Sequence, residues 1–220
     1  MPPADRPPVV IGSHGLLSDK NSPKQLELAQ HCNQKHIAYF RFDHCGCGES
    51  EGKFNTVTSL KTRCADLMAA AKMLKGRDDI GARVGLFGSS MGGTVCLSSA
   101  RRINADAVVT WAAPIRSIDM VRSQTNPAGQ ATTSESKHPF KANPFDISHL
   151  LAGIQNTLIF HGDADETVPL THATEIYELV SEPKKLVIVP QSDHRMSNPD
   201  DQQAFMREAL RWFQTYLTLE

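Results

Sequence analysis

Val84-Gly85-Leu86-Phe87-Gly88-Ser89-Ser90-Met91-Gly92-Gly93 reads as a short apolar strand that breaks at Gly88 and restarts as a helix, with Ser90 at the turn. Gly88 and Gly92 stand two residues either side of Ser90, the G-x-S-x-G pattern of a nucleophile elbow. A backbone that turns this sharply brings strand and helix together and leaves no room for a β-carbon at either flank. Ser89 does not fit, because Phe87 and Met91 would then hold the glycine positions. The helix opening after Ser90 turns its unpaired N–H groups toward the hydroxyl. A plain glycine-rich turn shares these letters. A base, an acid and an oxyanion site elsewhere in the chain would distinguish the two.

Strand-length apolar runs alternate with helical periodicity on both sides of this stretch. Pro8-Val9-Val10-Ile11-Gly12 and Ile37 to Phe42 precede it as strands, with a helix opened by Ser22-Pro23 and running to about Asn33 between them. From Thr58 to about Lys75, Leu60, Cys64, Leu67, Met68, Ala71 and Leu74 recur at helical spacing. The third strand is Arg83 to Phe87, and the elbow helix runs from Met91 to about Ile103. Ala107 to Trp111, Thr157 to Phe160 and Lys185 to Val189 are further strands, with a helix over His172 to Val180 and a closing amphipathic helix carrying Phe205, Ala209, Phe213 and Tyr216. Six strands alternating with helices predict an α/β fold, a doubly wound, mostly parallel sheet, in a single domain over 1–220. One segment, about 115–152, breaks the rhythm with Pro127, Pro139, Pro144 and a polar patch, and is expected to be a lid insertion.

Composition excludes several classes. With 40% hydrophobic and 21% charged residues and a formal charge of −1, the 220-residue chain suggests neither disorder nor a membrane span and carries no basic footprint for nucleic acid. Five cysteines, Cys32, Cys45, Cys47, Cys64 and Cys96, lack disulfide-framework spacing, so a reducing cytoplasm is the expected location. Cys45-x-Cys47 lacks the gap of common zinc pairs and is expected to be free thiols in a loop. The proline-rich start, Met1 to Pro8, has no apolar signal region.

A serine hydroxyl needs an imidazole to take its proton, and nine histidines compete for that role. His194 follows the last strand and so leaves the sheet on the same edge as Ser90, which makes it the candidate. His161 ends a strand just before Gly162 and is expected to hold the next loop; His31, His36, His44, His149 and His172 have surface or capping roles by default, and His138 sits in the insertion. The loop His161-Gly162-Asp163-Ala164-Asp165-Glu166 supplies three acids that could fix the imidazole's tautomer, and periodicity does not choose among them. A cation site in that run is disfavoured, because its oxygen ligands are irregularly spaced. Two N–H donors are needed for an oxyanion: Met91 after the elbow offers one, and Leu16 in His14-Gly15-Leu16 the other.

On these residues, together with Asp43 and Gly46-x-Gly48-x-Ser50, His161-Gly162-Asp163-x-Asp165 with Val168-Pro169, and Asp193-His194, almost the whole chain resembles the α/β-hydrolase superfamily. Within it the chain is similar to the serine-aminopeptidase-like and monoacylglycerol-lipase-like branch that includes cinnamoyl and feruloyl esterases. The resemblance implies Ser90 as nucleophile, His194 as base, Asp165 as orienting acid, and the amides of Leu16 and Met91 as oxyanion hole. Two departures stand out: the usual N-terminal hairpin is lacking, and Cys45 replaces a common arginine.

The expected activity is hydrolysis of a small-molecule carboxylic ester through an acyl-enzyme, without metal or organic cofactor, by a monomer or homodimer. Thioesterase or aminopeptidase-like action on the same triad is the alternative within this class. A non-catalytic ligand-binding protein is the alternative outside it. Trp111, Phe140 and Phe145, with Ile115, Ile118 and Met120, are candidates for an apolar substrate pocket suited to small or medium acyl or aryl groups, or else seat the insertion on the core.

Overall fold

The computed structural model describes residues 6–117 and 144–218, and there the apolar runs pair as one parallel sheet. Its strands are β1 (Val9–Ser13), β2 (Ala38–Arg41), β3 (Val84–Ser89), β4 (Ala107–Trp111), β5 (Thr157–Gly162) and β6 (Lys184–Val189), in the spatial order β2-β1-β3-β4-β5-β6. The four inner strands are buried along almost their whole length, which is why they read as continuous apolar runs. β3 runs two residues past its expected end, because Gly88 and Ser89 pair with Thr110 and Trp111 of β4.

Among the described residues the α-helices are α1 (Pro23–Asn33), α2 (Phe54–Val57), α3 (Leu60–Lys75), α4 (Met91–Ile103), α5 (Thr171–Leu179) and α6 (Pro199–Leu217). On one face α1 and α6 pack Leu28, Cys32, Phe205 and Phe213 against Val10, Phe87, Val109, Trp111 and Phe160. On the other, α3, α4 and α5 pack Leu67, Val95 and Ile176 with Val9, Ile11, Leu86 and Val108. Successive strand residues point to opposite faces, so Val9 and Ile11 serve one layer and Val10 the other.

Capping sets the start of one helix and is missing at another. α3 begins at Leu60 rather than Thr58, because Ser59 caps it: its Oγ accepts from the Thr62 N–H at 3.1 Å, and Thr62 Oγ1 accepts from the Ser59 N–H at 3.0 Å. Ser22 makes no side-chain cap bond at α1, so Pro23, with its preset φ, marks that start.

The connection from β1 leads to β2 on one side and the connection from β3 leads to β4 on the other, so the two diverge between β1 and β3. A crevice at the carboxyl ends of such a strand pair is where an open α/β sheet places its ligands. The loop after β1 and the elbow after β3 both open there.

The expected insertion has a paired base. Arg116 bridges Asp146 in antiparallel fashion, the Ser117 N–H donates to the Phe145 carbonyl at 3.1 Å, and the Ile147 N–H donates to the Ile115 carbonyl at 3.0 Å. Residues 118–143, including Ile118, Met120, His138 and Phe140, lie outside the described residues. Among the described residues no helix is long and apolar enough to cross a membrane.

Candidate active site

Ser90 stands between β3 and α4 at φ +53° and ψ −126°, a conformation that residues with a β-carbon rarely adopt. Its N–H donates to the Trp111 carbonyl at 2.7 Å, which ties the turn to β4. The flanking glycines are a steric necessity. A β-carbon on Gly88 would lie 2.2 Å from the Gly92 carbonyl oxygen, and one on Gly92 would lie 2.0 Å from that of Ser13.

His194 Nε2 lies 3.1 Å from Ser90 Oγ, and His194 Nδ1 lies 2.8 Å from Asp165 Oδ2. A carboxylate only accepts, so Nδ1 carries the proton and Nε2 is left as the acceptor facing the hydroxyl. The other carboxylate oxygen, Oδ1, accepts from the Thr167 and Val168 N–H groups at 2.8 Å each. The Asp165 side chain is 1% exposed and that of His194 16%, so the acid is shielded while the imidazole remains reachable. Burial raises the Asp165 pKa, but the His194 hydrogen bond and charge and the two N–H groups outweigh it and hold the carboxyl below its usual range.

The neighbouring acids have other tasks. Asp163 Oδ1 accepts from the Gln191 N–H at 2.6 Å and so braces the loop that follows β6. Glu166 accepts from the His194 N–H at 3.2 Å. His161 Nε2 donates to the Val168 carbonyl at 2.8 Å and holds the acidic loop closed. Trp111 Nε1 donates to the His194 carbonyl at 2.9 Å, and Lys24 Nζ to the Arg195 carbonyl at 2.6 Å, which fix the imidazole-bearing loop from below.

His14-Gly15-Leu16 passes beside the elbow: a β-carbon on Gly15 would sit 3.8 Å from Ser90 Cβ. Met91 opens α4, where first-turn N–H groups have no partner within the helix. Beneath the loop is a buried polar network that the sequence reading missed. His44, expected at the surface or as a cap, is fully buried; its Nε2 accepts from Ser13 Oγ at 2.9 Å and its Nδ1 faces Asp66 Oδ2 at 3.3 Å. Asp66 also takes the Cys45 N–H at 3.0 Å and the Cys45 thiol at 3.1 Å. The side chain of Arg63 reaches the carbonyls of His14, Gly15 and Leu16. His172 likewise departs from expectation, being buried and accepting the Ile115 N–H at 3.1 Å.

His14 must be neutral to do its work. Its Nε2 accepts from the His44 N–H at 3.1 Å, so its Nδ1 carries the proton and donates to the Gly15 carbonyl at 2.8 Å. Burial, then the charges of His44 and Arg63, lower its pKa to about 4, against the raising effects of the Gly15 bond and Asp43. Between that value and the ordinary histidine value the unfolded chain binds a proton that the folded chain does not, so stability is complete above the unfolded value and falls as the pH drops. We expect roughly 3 kcal/mol to be lost from this group by pH 4. Denaturant unfolding at pH 7.5 and pH 4 should show it, with a shallower pH dependence in His14→Asn.

Among the described residues, the pocket candidates Trp111, Ile115 and Phe145 are not brought together. Trp111 is 1% exposed and packs with Phe160 and Phe205, whereas Ile115 and Phe145 belong to the cluster on the opposite sheet face, and Phe140 lies outside the described residues. Among the described residues no group of three His, Cys, Asp or Glu side chains is placed to hold a metal ion.

Comparison with known proteins agrees with this architecture. The fold superposes on ferulic acid-bound Est1E from Butyrivibrio proteoclasticus with a TM-score of 0.78 at 18% identity, covering 100% of this chain and 94% of that one. In sequence, the chain is 26% identical over 190 residues to YfhR of Escherichia coli (strain K12), covering 84% of this chain and spanning only 62% of that relative's length. It is 28% identical over 219 residues to the mitochondrial palmitoyl-protein thioesterase ABHD10 of Mus musculus, covering 88% of this chain and 71% of the relative. The family model described as serine aminopeptidase, S33 matches residues 5–141, more than half the chain. With that match, and with six parallel strands in the order found, the chain belongs to the serine aminopeptidase, S33 family of the α/β-hydrolase superfamily.

Proposed function

We propose that this protein is a serine hydrolase that cleaves carboxylic esters through an acyl-enzyme, with Ser90 as nucleophile, His194 as general base and acid, and Asp165 as the group that orients and stabilises the imidazolium. The observation that carries the proposal is one imidazole placed 3.1 Å from Ser90 Oγ and 2.8 Å from a shielded carboxylate. As Oγ bonds to the ester carbonyl carbon, His194 Nε2 takes its proton. The negative charge that develops on the carbonyl oxygen is received by the N–H groups of Leu16 and Met91. His194 then protonates the departing alcohol, activates a water for attack on the acyl-enzyme, and returns the proton to Ser90 as the acid leaves. No metal or organic cofactor enters this sequence.

Small to medium acyl or aryl esters are the proposed substrates. Thioesters are the second reading, favoured by the likeness to a palmitoyl-protein thioesterase; they pass through the same oxyanion. Five free cysteines among the described residues support a reducing, cytoplasmic location.

A fluorophosphonate probe tests the proposal. The folded protein is expected to take up one adduct, on Ser90 by peptide mass spectrometry, and to lose p-nitrophenyl ester hydrolysis in proportion. Absence of the adduct would favour a ligand-binding protein on the same fold. Oxygen esters and thioesters of one acyl chain, compared by kcat/KM, rank the two substrate classes.

A further inference from the structure

We propose that Arg63 is a positioning residue for the oxyanion loop, holding the peptide planes of His14-Gly15-Leu16 so that the Leu16 N–H is presented to the oxygen of the reacting carbonyl. The inference rests on the hydrolase reading above. Arg63 lies in the first turn of α3, and although it is charged it is only 1% exposed. A buried guanidinium is costly unless its donors are met. Its partners among the described residues are the carbonyls of His14 and Gly15, at 3.2 and 3.3 Å from Nη1, and the Leu16 carbonyl and Cys47 Sγ, at 3.0 and 3.3 Å from Nη2. None is a carboxylate. Three of these four acceptors are successive carbonyls of one loop, and the buried Nε has no hydrogen-bond partner among the described residues.

Those carbonyls determine where the N–H groups point. In a trans peptide the carbonyl of one residue and the N–H of the next lie in one plane on opposite sides. The Gly15 carbonyl is gripped twice, by Arg63 and by His14 Nδ1 at 2.8 Å, so the Leu16 N–H is turned away from α3. The loop passes close beside Ser90: a β-carbon on Gly15 would sit 3.8 Å from Ser90 Cβ and 3.6 Å from the Ser89 carbonyl oxygen. A cation on the carbonyl also polarises the amide, which makes its N–H a stronger donor.

The test compares wild type, Arg63→Met and Arg63→Lys on a p-nitrophenyl ester and on the thiono ester of the same acid, whose sulfur accepts hydrogen bonds poorly. With Arg63→Met we expect kcat for the oxygen ester to fall on the order of 100-fold, with KM changed by less than about threefold. The thiono ester should lose much less, so the oxygen-to-thiono rate ratio drops. Arg63→Lys should fall between, since one ammonium cannot span three carbonyls. Equal losses on both esters would make Arg63 a merely structural residue and overturn the inference. So would an unchanged kcat, or failure of both variants to yield folded protein. If wild type shows no Ser90-dependent turnover, the hydrolase reading itself fails, an outcome distinct from an active wild type with an unaltered ratio in Arg63→Met.

Discussion

Replacing Ser90 by alanine is expected to lower kcat for p-nitrophenyl esters by between about 10⁴- and 10⁶-fold, the range seen when the nucleophile of a triad is removed. Apart from a proton, the residue provides the only protein atom that the proposed mechanism bonds to substrate. Its loss should leave the fold intact, because what the turn requires of position 90 is its backbone: the N–H that reaches the Trp111 carbonyl at 2.7 Å, and the left-handed φ of +53°. Alanine tolerates that φ no worse than serine. Thermal unfolding should therefore change little while steady-state turnover and probe labelling vanish together. Retention of more than about one per cent of the activity would place the nucleophile elsewhere.

Asp165→Asn should cost about 10⁴-fold in kcat with little change in KM. The two loop N–H groups of Thr167 and Val168 already bond to Oδ1, so the amide oxygen of asparagine will take that place and its NH2 will face His194 Nδ1. Because that NH2 can only donate, Nδ1 must give up its proton, Nε2 becomes the protonated nitrogen, and it can no longer accept from Ser90. The predicted defect is thus one of tautomer, in a protein whose loop is otherwise unaltered. Steady-state kinetics with an NMR measurement of the His194 ring protons would check both halves; a tenfold effect or less would mean that the carboxylate does not set the imidazole.

Much of this was legible in the sequence where local rules decide. The six strands follow from apolar runs broken by glycine and polar loops, and their ends shifted by a residue or two where ladder pairing continued, as at Gly88 and Ser89. The candidates Ser90 and His194 follow from the elbow pattern and the chain order, and the fold brings their side chains to 3.1 Å. The choice between Asp163 and Asp165 could not, since both leave the same strand; only the packed loop shows that Asp163 is spent on the Gln191 N–H. Arg63, His44 and Asp66 were missed because their partners lie far away in sequence, 49 residues for the bond from Arg63 to the His14 carbonyl. One signal was available: the buried stripe of α3 is Arg63, Leu67, Ala70, Ala71 and Leu74, so a charged residue stands on an apolar face. A cation in that position asks for an acceptor inside the protein.

The trio beneath the loop that follows β1 bears on how hydrolase sites are recognised. Ser13 Oγ, His44 Nε2 at 2.9 Å, and Asp66 3.3 Å beyond Nδ1 repeat the hydroxyl, imidazole and carboxylate of the proposed site almost atom for atom. Ser13 and His44 have no exposed surface, and Ser13 lies within a strand instead of being lifted clear of one, so no acyl carbon can approach it. A template search on the mutual placement of three side chains would stop twice in this chain, once at a decoy. What separates the proposed site from this buried copy is the strained bend that carries the Ser90 hydroxyl out to where a substrate could arrive.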